Sequence, residues 1–336
     1  MNVFQGRTIL VTGGTGSFGQ HFIRTALERW DPAAIRVFSR DELKQYEMSR
    51  AFDDDRLRFL LGDVRDLERL HRAVAGADIV VHAAALKQVP ACEYNPFEAV
   101  KTNILGTQNV AAACIDVGVE RAVALSTDKA VSPANLYGAT KLCAEKLFVQ
   151  SNVYAGGRPT RLSCVRYGNV VGSRGSVVPL FREQRRTGTL TITDQRMTRF
   201  WITLDQAVEF VARCIERMHG GEVFIPKIPS MRVTDLAAAM APDAQVRYTG
   251  IRPGEKLHEA LITVEESRHT KDHGDCFVVE PEQPFWEERR AASGTSVPEG
   301  FAYTSDSNDE WLTVEQLRGL LGAGATDERA SAAAAR

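Results

Sequence analysis

The run Val11-Thr12-Gly13-Gly14-Thr15-Gly16-Ser17-Phe18-Gly19 constrains this chain more than any other stretch. It follows an apolar, β-branched segment, Thr8-Ile9-Leu10-Val11-Thr12, and opens an amphipathic segment from about Phe18. Two overlapping patterns, Gly14-x-Gly16-x-x-Gly19 and Gly13-x-x-Gly16-x-x-Gly19, let a backbone leave a buried strand and turn at once into a helix. A helix entered this way presents free N–H groups and positive potential, which suits a pyrophosphate. Gly13, Thr15, Gly16, Ser17, Phe18 and Gly19 are therefore candidate dinucleotide contacts.

The alternation continues downstream. Ile35-Arg36-Val37-Phe38, Leu57-Arg58-Phe59-Leu60-Leu61, Ile79-Val80-Val81-His82 and Ala122-Val123-Ala124-Leu125 read as strands, each after a helical stretch. Continuous apolar strands separated by helices imply an α/β fold, a doubly wound parallel Rossmann sheet covered on both faces. Ligands then bind beyond the carboxyl ends of the strands. We expect residues 1–168 to form the nucleotide-binding domain, with 200–226 returning to it through Glu222-Val223-Phe224-Ile225. Gly-, Arg- and Pro-rich loops mark 169–199 and 227–322 as a smaller, discontinuous substrate-binding lobe, and 323–336 as a flexible tail. Thr313-Val314-Glu315-Gln316 has the form of a capping box opening a last helix.

Charge narrows the function classes. A formal net charge of −2 gives no basic footprint for nucleic acid. The run Arg182-Glu183-Gln184-Arg185-Arg186 reads as a solvated helix face. No apolar run approaches the roughly 20 residues that span a bilayer, and Met1–Arg7 leads straight into a strand with no room for a signal peptide. The six cysteines show no metal-like spacing and sit mostly in apolar segments, so a reduced, cytoplasmic setting is expected. His82 and His258 lack a third ligand at suitable spacing, so no metal is expected.

The end of the second strand speaks to the cofactor. An NAD site usually places a carboxylate there for the ribose hydroxyls. Here Phe38 is followed by Ser39 and Arg40, with Lys44 one turn later, groups that can bind a 2′-phosphate. Asp41 reads as the start of the next helix. NADP is the expected cofactor, with Asp63 and Val64 near the adenine and Ala83 letting the backbone run close to it.

The fifth strand ends in Ser126-Thr127-Asp128-Lys129-Ala130, and Tyr137-Gly138-Ala139-Thr140-Lys141 follows on a helix. Spacing of i, i+4 puts Tyr137 and Lys141 on one face, where an ammonium lowers the tyrosine toward neutrality. Tyr137 then takes a proton from a substrate alcohol during hydride transfer.

With these motifs the chain resembles an extended short-chain dehydrogenase/reductase, and within that superfamily the inverting UDP-N-acetylglucosamine 4,6-dehydratases that open pseudaminic-acid synthesis and flagellin glycosylation. The resemblance runs from about Thr8 to Leu321. It includes Ser39–Lys44, Gly62–Asp66, Ser126–Ala130, Arg166–Ser176, Arg196–Trp201 and Gly254–Glu259. The related retaining dehydratases generally carry Met where this chain has Tyr137, and they have transmembrane segments. The resemblance implies Lys129 as the base at C5, Asp128 as the acid for the departing C6 hydroxyl, and Thr127 as a hydrogen-bond partner near the C4 oxygen. It also implies NADP held tightly and regenerated each cycle. A lysine base must be partly neutral, and Lys141, Lys87 and the oxidised nicotinamide are the expected positive neighbours. Lys87, Asn169, Val170, Arg174, Arg199, Arg252 and Glu255 are expected around a UDP-sugar.

Family members are oligomers, and segments 103–116 and 137–153 read as interface elements of a homo-oligomer. Two other readings stay open, namely a UDP-sugar 4-epimerase or retaining dehydratase, and a non-catalytic NADP-binding sensor. Intact Asp128, Lys129, Tyr137 and Lys141 argue against the sensor.

Overall fold

The computed structural model describes residues 2–172, 177–282 and 293–322. The first βαβαβ unit runs β1 (Thr8–Thr12), α1 (Ser17–Arg29), β2 (Ala34–Ser39), α2 (Glu42–Phe52) and β3 (Leu57–Leu61). There follow α3 (Leu67–Val74), β4 (Ile79–His82), α4 (Val89–Tyr94), α5 (Pro96–Ala99), a π-helical turn at Val100–Leu105 and α6 (Gly106–Val117). Then come β5 (Arg121–Thr127), α7 (Leu136–Gln150) and β6 (Arg161–Tyr167). Side-chain caps start several of these helices: Asp41 accepts from the Lys44 N–H at 3.0 Å, Asp66 from Arg69 at 2.9 Å and Asn135 from Gly138 at 2.8 Å. Asp41 is thus the N-cap its position suggests, not a ribose ligand by default.

The later chain holds β7 (Asn169–Val170), α8 (Val177–Gln184), β8 (Thr189–Ile192), β9 (Thr198–Ile202), α9 (Leu204–Arg217) and β10 (Val223–Pro226). It continues with β11 (Ser230–Arg232), α10 (Val233–Met240), β12 (Gln245–Tyr248) and β13 (Ala260–Ile262). The remaining strands are β14 (Thr270–Asp272), β15 (Cys276–Val279), β16 (Thr295–Ser296) and β17 (Tyr303–Thr304). The large sheet has the order β16-β14-β15-β10-β6-β5-β4-β1-β2-β3 and is parallel from β10 to β3. Its parallel strands β1 and β4 are almost wholly buried, as layers of helix on both faces require.

The sequence reading places 227–322 in the substrate lobe, but β14, β15 and β16 extend the large sheet antiparallel from β10. Cys276–Val279 is buried along its whole length, and pairing with β10 satisfies both its apolar faces and the exposed sheet edge. Conversely, β9 pairs with β7 and β11 in a separate three-stranded sheet, so the return toward the large sheet begins at α9 rather than at residue 200. A second core, built on Phe181, Trp201, Met231, Leu236 and Leu317, lies under this lobe. Thr313 and Gln316 exchange the reciprocal bonds of a capping box. Among the described residues no helix is long and apolar enough to cross a membrane. The expected tail, 323–336, lies outside the described residues.

Candidate active site

A cleft of about 570 Å³ opens at the carboxyl ends of β1, β2, β4 and β5. Gly13 turns out of β1 at φ 66°, and a Cβ there would come within 2.9 Å of the Ala83–Ala84 backbone. At Gly19 a Cβ would meet Gly14 at 2.6 Å. Glycine is therefore required both for the turn and for the approach of α1 to the strand. Gly16 caps α1 without a side-chain bond, leaving the first N–H groups directed at the cleft, which suits a dinucleotide pyrophosphate. Thr15, Ser17 and Phe18 line the same wall.

Behind this loop, His82 accepts at Nδ1 from Thr12 (2.7 Å) and meets Thr107 at 3.0 Å through Nε2. Thr107 spends its own proton on the Asn103 carbonyl (2.6 Å), which fixes the Nε2–H tautomer. Burial, reinforced by Lys141, pushes His82 down to about 3, so it stays neutral and braces the end of β4.

The ribose end of the cleft carries Ser39, Arg40 and Lys44. Ser39 bonds Thr15 at 2.9 Å, Arg40 lies 3.5 Å from Asp63, and Lys44 pairs with Asp41. Val64 and Ala83 complete the lining.

Strand β5 ends at Thr127; Thr127 and Lys129 line the cleft together with Tyr137 and Lys141 of α7, and Asp128 between them is fully buried. Gly138 lets the two segments meet, since a Cβ there would stand 2.1 Å from the Lys129 carbonyl oxygen. Asp128 is 1% exposed and accepts at Oδ1 from Lys129 Nζ (3.0 Å) and from the Thr127 hydroxyl (2.9 Å). Its Oδ2 is buried without a hydrogen-bond partner.

The electrostatics differ from the sequence expectation in two ways. Burial pushes Tyr137 up to about 12, and the cation that draws it back is Lys129, aided by a hydrogen bond with Thr127. Lys141 instead gives its ammonium to the Leu125 carbonyl at 2.7 Å, and burial draws that ammonium down. Lys129 is also not poised as a neutral amine. Burial works against its charge, but Asp128 and Glu259 outweigh burial and hold it above the ordinary lysine value. Glu259 is buried and lies 3.6 Å from Lys129 Nζ.

The substrate candidates separate. Lys87, Asn169 and Val170 line the cleft. Arg199 does not reach into it; its guanidinium donates to the Thr198, Leu257 and Lys256 carbonyls and stands 3.9 Å from Glu259. Arg252 is exposed beside Glu255 at 3.9 Å, on a loop docked to the start of α7 by an Asn135 bond to the Gly254 carbonyl (2.8 Å). Arg174 lies outside the described residues. His258 bonds Thr198 at 2.8 Å, a structural role.

A family model described as a polysaccharide biosynthesis protein matches residues 9–281. A Campylobacter jejuni protein, UDP-N-acetylglucosamine 4,6-dehydratase (inverting), is 51% identical over 95% of this chain and 98% of its own length. The chain belongs to the inverting UDP-N-acetylglucosamine 4,6-dehydratase family. The X-ray structure of Pen from Bacillus thuringiensis superimposes on this dehydratase fold with TM-score 0.86 and 37% identity, covering 98% of this chain and 99% of that one. DesIV, a dTDP-glucose 4,6-dehydratase from Streptomyces venezuelae solved with NAD and TYD, gives TM-score 0.66 at 27% identity over 74% of this chain and 86% of its own. Relatives of this kind bind nicotinamide dinucleotides, NAD in the case of DesIV.

Sequence reasoning missed Glu259 and Lys256 as members of this dehydratase site. Lys256 bonds the Val131 carbonyl at 2.5 Å and lies 3.3 Å from Glu259. Both residues stand in the Gly254–Glu259 motif, yet only tertiary packing brings them to Lys129.

Proposed function

We propose that this chain is an NADP-dependent, C5-inverting UDP-N-acetylglucosamine 4,6-dehydratase. The observation that carries the reading is the Asp128–Lys129 pair, 3.0 Å apart, in which Lys129 lines the cleft with Tyr137 and Asp128 is buried beside it. A 4-epimerase, as a Rickettsia conorii relative 42% identical over 82% of this chain and 83% of its own length is named, needs no acid–base pair at C5 and C6. When bound, NADP supplies the redox chemistry, hydride acceptance from C4 and hydride return to C6.

The chain's own residues handle the protons. Tyr137 takes the O4 proton, with the Lys129 ammonium and the Thr127 hydroxyl stabilising its phenolate. Moving the proton shared by Lys129 Nζ and Asp128 Oδ1 from nitrogen to oxygen then leaves an amine and a carboxylic acid. Those are the two forms elimination requires, and net charge does not change. Lys129 takes the C5 proton, acidic beside the new C4 ketone, while Asp128 protonates the C6 hydroxyl as it leaves as water. Lys141 and the glycine loop hold the cofactor, and Ser39, Arg40 and Lys44 favour its 2′-phosphate form. Lys87, Asn169 and Val170 face the sugar, with Arg252 and Glu255 at the nucleotide end. Arg199 supports that end through the backbone it binds.

The product is the kind of 4-keto-6-deoxy sugar that opens pseudaminic-acid synthesis, and the reading places the enzyme in the cytoplasm with its nucleotide-sugar supply. Exposed Tyr94 (88%), Phe97 (77%) and Tyr154 (74%) around α4, α5 and the end of α7 support a homo-oligomer.

Incubation with UDP-N-acetylglucosamine tests the proposal. Mass spectrometry is expected to show loss of one water, and NMR an inverted C5. An isobaric product indicates an epimerase, a retained C5 the other dehydratase type, and no turnover a sensor. Lys129→Ala is expected to abolish dehydration, and near-normal turnover in that variant sinks the assigned base.

A further inference from the structure

Inversion poses a chemical problem that the pair Asp128–Lys129 does not solve alone. Once Lys129 Nζ has taken the C5 proton, it stands beside the carbanion face it has just attacked. The fastest fate of that proton is return to the same face, which gives retention. Inversion requires the proton to stay on nitrogen while another donor protonates the opposite face.

The structure holds a device suited to that task. Glu259, 3% exposed, faces Lys129 Nζ at 3.6 Å, and Asp128 faces the same nitrogen at 3.0 Å. The carboxylate is anchored from both sides of its own backbone. The Glu259 N–H donates to the Ser305 hydroxyl at 2.9 Å, and the Ser305 N–H donates to the Glu259 carbonyl at 2.8 Å. Ser305 is itself buried and bonded to Thr198 at 2.7 Å. Glu259 Oε2 is buried with no hydrogen-bond partner among the described residues. Lys256 Nζ stands 3.3 Å from that Oε2 while it bonds the Val131 carbonyl, and Arg199, bonded to three carbonyls, stands 3.9 Å from Oε1, the oxygen that faces Lys129. Asp128 and Glu259 thus favour the Lys129 ammonium and Arg199 opposes it, while Tyr137 is the phenol whose ionised form that ammonium stabilises.

We propose that Glu259 is a positioning residue that keeps the captured C5 proton on Lys129, so that C5 is reprotonated only from the opposite face. The inference rests on Lys129 being the C5 base. In atoms, the C5–H bond breaks and an N–H bond forms on Lys129. Asp128 loses its proton to O6 as water leaves, so Lys129 ends as an ammonium between two carboxylates. A full negative charge on each side makes this ammonium a poor donor. Departure of water uses the C5 electron pair to form the C5=C6 bond; hydride returned to C6 by the bound cofactor would restore the enolate, and C5 then takes its proton from a solvent-exchangeable donor across the ring.

The test is a reaction in deuterium oxide, stopped early in turnover, with C5 configuration and C5 isotope read in the product by NMR. Both readouts describe the product formed, whatever its rate. The unsubstituted enzyme is expected to give inverted product carrying deuterium at C5. Glu259→Gln is expected to raise the fraction with retained configuration and original protium about tenfold, which corresponds to about 1.4 kcal/mol of lost ammonium stabilisation. Later epimerisation in solution introduces deuterium, so it is not confused with internal return. Glu259→Asp, which keeps the charge but withdraws it, is expected to leak to an intermediate extent, and decides the matter if the Gln variant gives no product. Fully inverted, fully deuterated product from the Gln variant, or from the Asp variant where Gln is inactive, overturns the proposal and leaves Glu259 a counter-ion for Lys256 and Arg199. Lys129→Ala separates the two levels: persistent C5 exchange in that variant sinks the base itself, whereas its loss beside a clean Glu259→Gln product sinks only the role of Glu259.

Discussion

Arg166 offers the sharpest quantitative test of how the catalytic helix is held. It stands on β6 and is 1% exposed. Its guanidinium bonds Glu145 on α7 at 2.5 and 3.1 Å, Glu266 at 2.8 and 2.9 Å, and the Leu261 carbonyl at 2.7 Å. Glu145 lies one turn beyond Lys141, so this cluster ties the helix bearing the catalytic tyrosine to the later chain. Arg166→Met keeps much of the volume but leaves two carboxylates without their cation. Breaking a buried pair in this way costs about 3–5 kcal/mol. At roughly 2–4 °C per kcal/mol for a large domain, Tm should fall by several degrees at least.

The pH dependence has a definite sign. Burial alone would raise Glu266, but Arg166 holds it below the usual carboxylate value in the native protein. Its contribution is therefore present above the unfolded value and lost as pH falls through the folded one. In the Met variant the unpaired carboxylates take up protons more readily, so the stability gap to the parent should narrow in mild acid. Thermal melts of both proteins across that range read the effect directly. A gap below about 1 kcal/mol near neutrality, against the 3–5 expected, or one that widens toward acid, refutes the reasoning.

Other perturbations probe the cleft. Gly13→Ala forces a side chain into left-handed backbone, which costs about 1–2 kcal/mol, and against the Ala83–Ala84 backbone. Calorimetry should show weaker dinucleotide binding, and unchanged binding would remove the cradle. Replacing Arg40 and Lys44 by Ala should lower the preference for NADP over NAD by about 10-fold or more, since hydrogen bonds to charged groups contribute about 1.5–3 kcal/mol; an unchanged ratio in titrations of cofactor-stripped protein sinks the NADP assignment. Tyr137→Phe should slow C4 oxidation by about 10²–10⁴-fold, the range of general base catalysis, in single-turnover measurements. A near-normal rate would move that role to another group.

The parts legible in the sequence are those whose physics is local. A strand, a glycine turn and a helix start are contiguous, so Gly13–Gly19 announces its own conformation and its ligand class. The same holds for Asp41, a cap whose partner is three residues away. The Tyr137–Lys141 spacing placed both residues on one buried face but gave the wrong electrostatic partner. Spacing fixes Cβ positions, not where a four-carbon ammonium points, and Lys141 finds the Leu125 carbonyl instead. Arg199 misled for the same reason, because an exposed-looking arginine in a loop motif turns inward to cap three carbonyls. The reading of 227–322 as substrate lobe fails for β14 to β16, which join the large sheet, since two- to four-residue antiparallel strands carry almost no periodic signal.

The loop 254–259 shows why the remaining part of the site could not be read locally. It is stitched to the catalytic turn at three levels: Asn135 to the Gly254 carbonyl, Lys256 to the Val131 carbonyl, and Glu259 to Lys129. Asn135 is at the same time the cap of α7, so one side chain sets both the start of the catalytic helix and the seat of the loop. A loop held only by its own turn would leave Lys129 facing Asp128 alone, a pair whose shared proton is as free to return to substrate as to stay. By fastening the loop through backbone carbonyls, the fold brings Lys256 to one Glu259 oxygen and the other oxygen to Lys129. The stereochemical outcome at C5 is then set by a residue far from Lys129 in sequence, and the placement of that residue belongs to the substrate lobe rather than to the nucleotide-binding sheet.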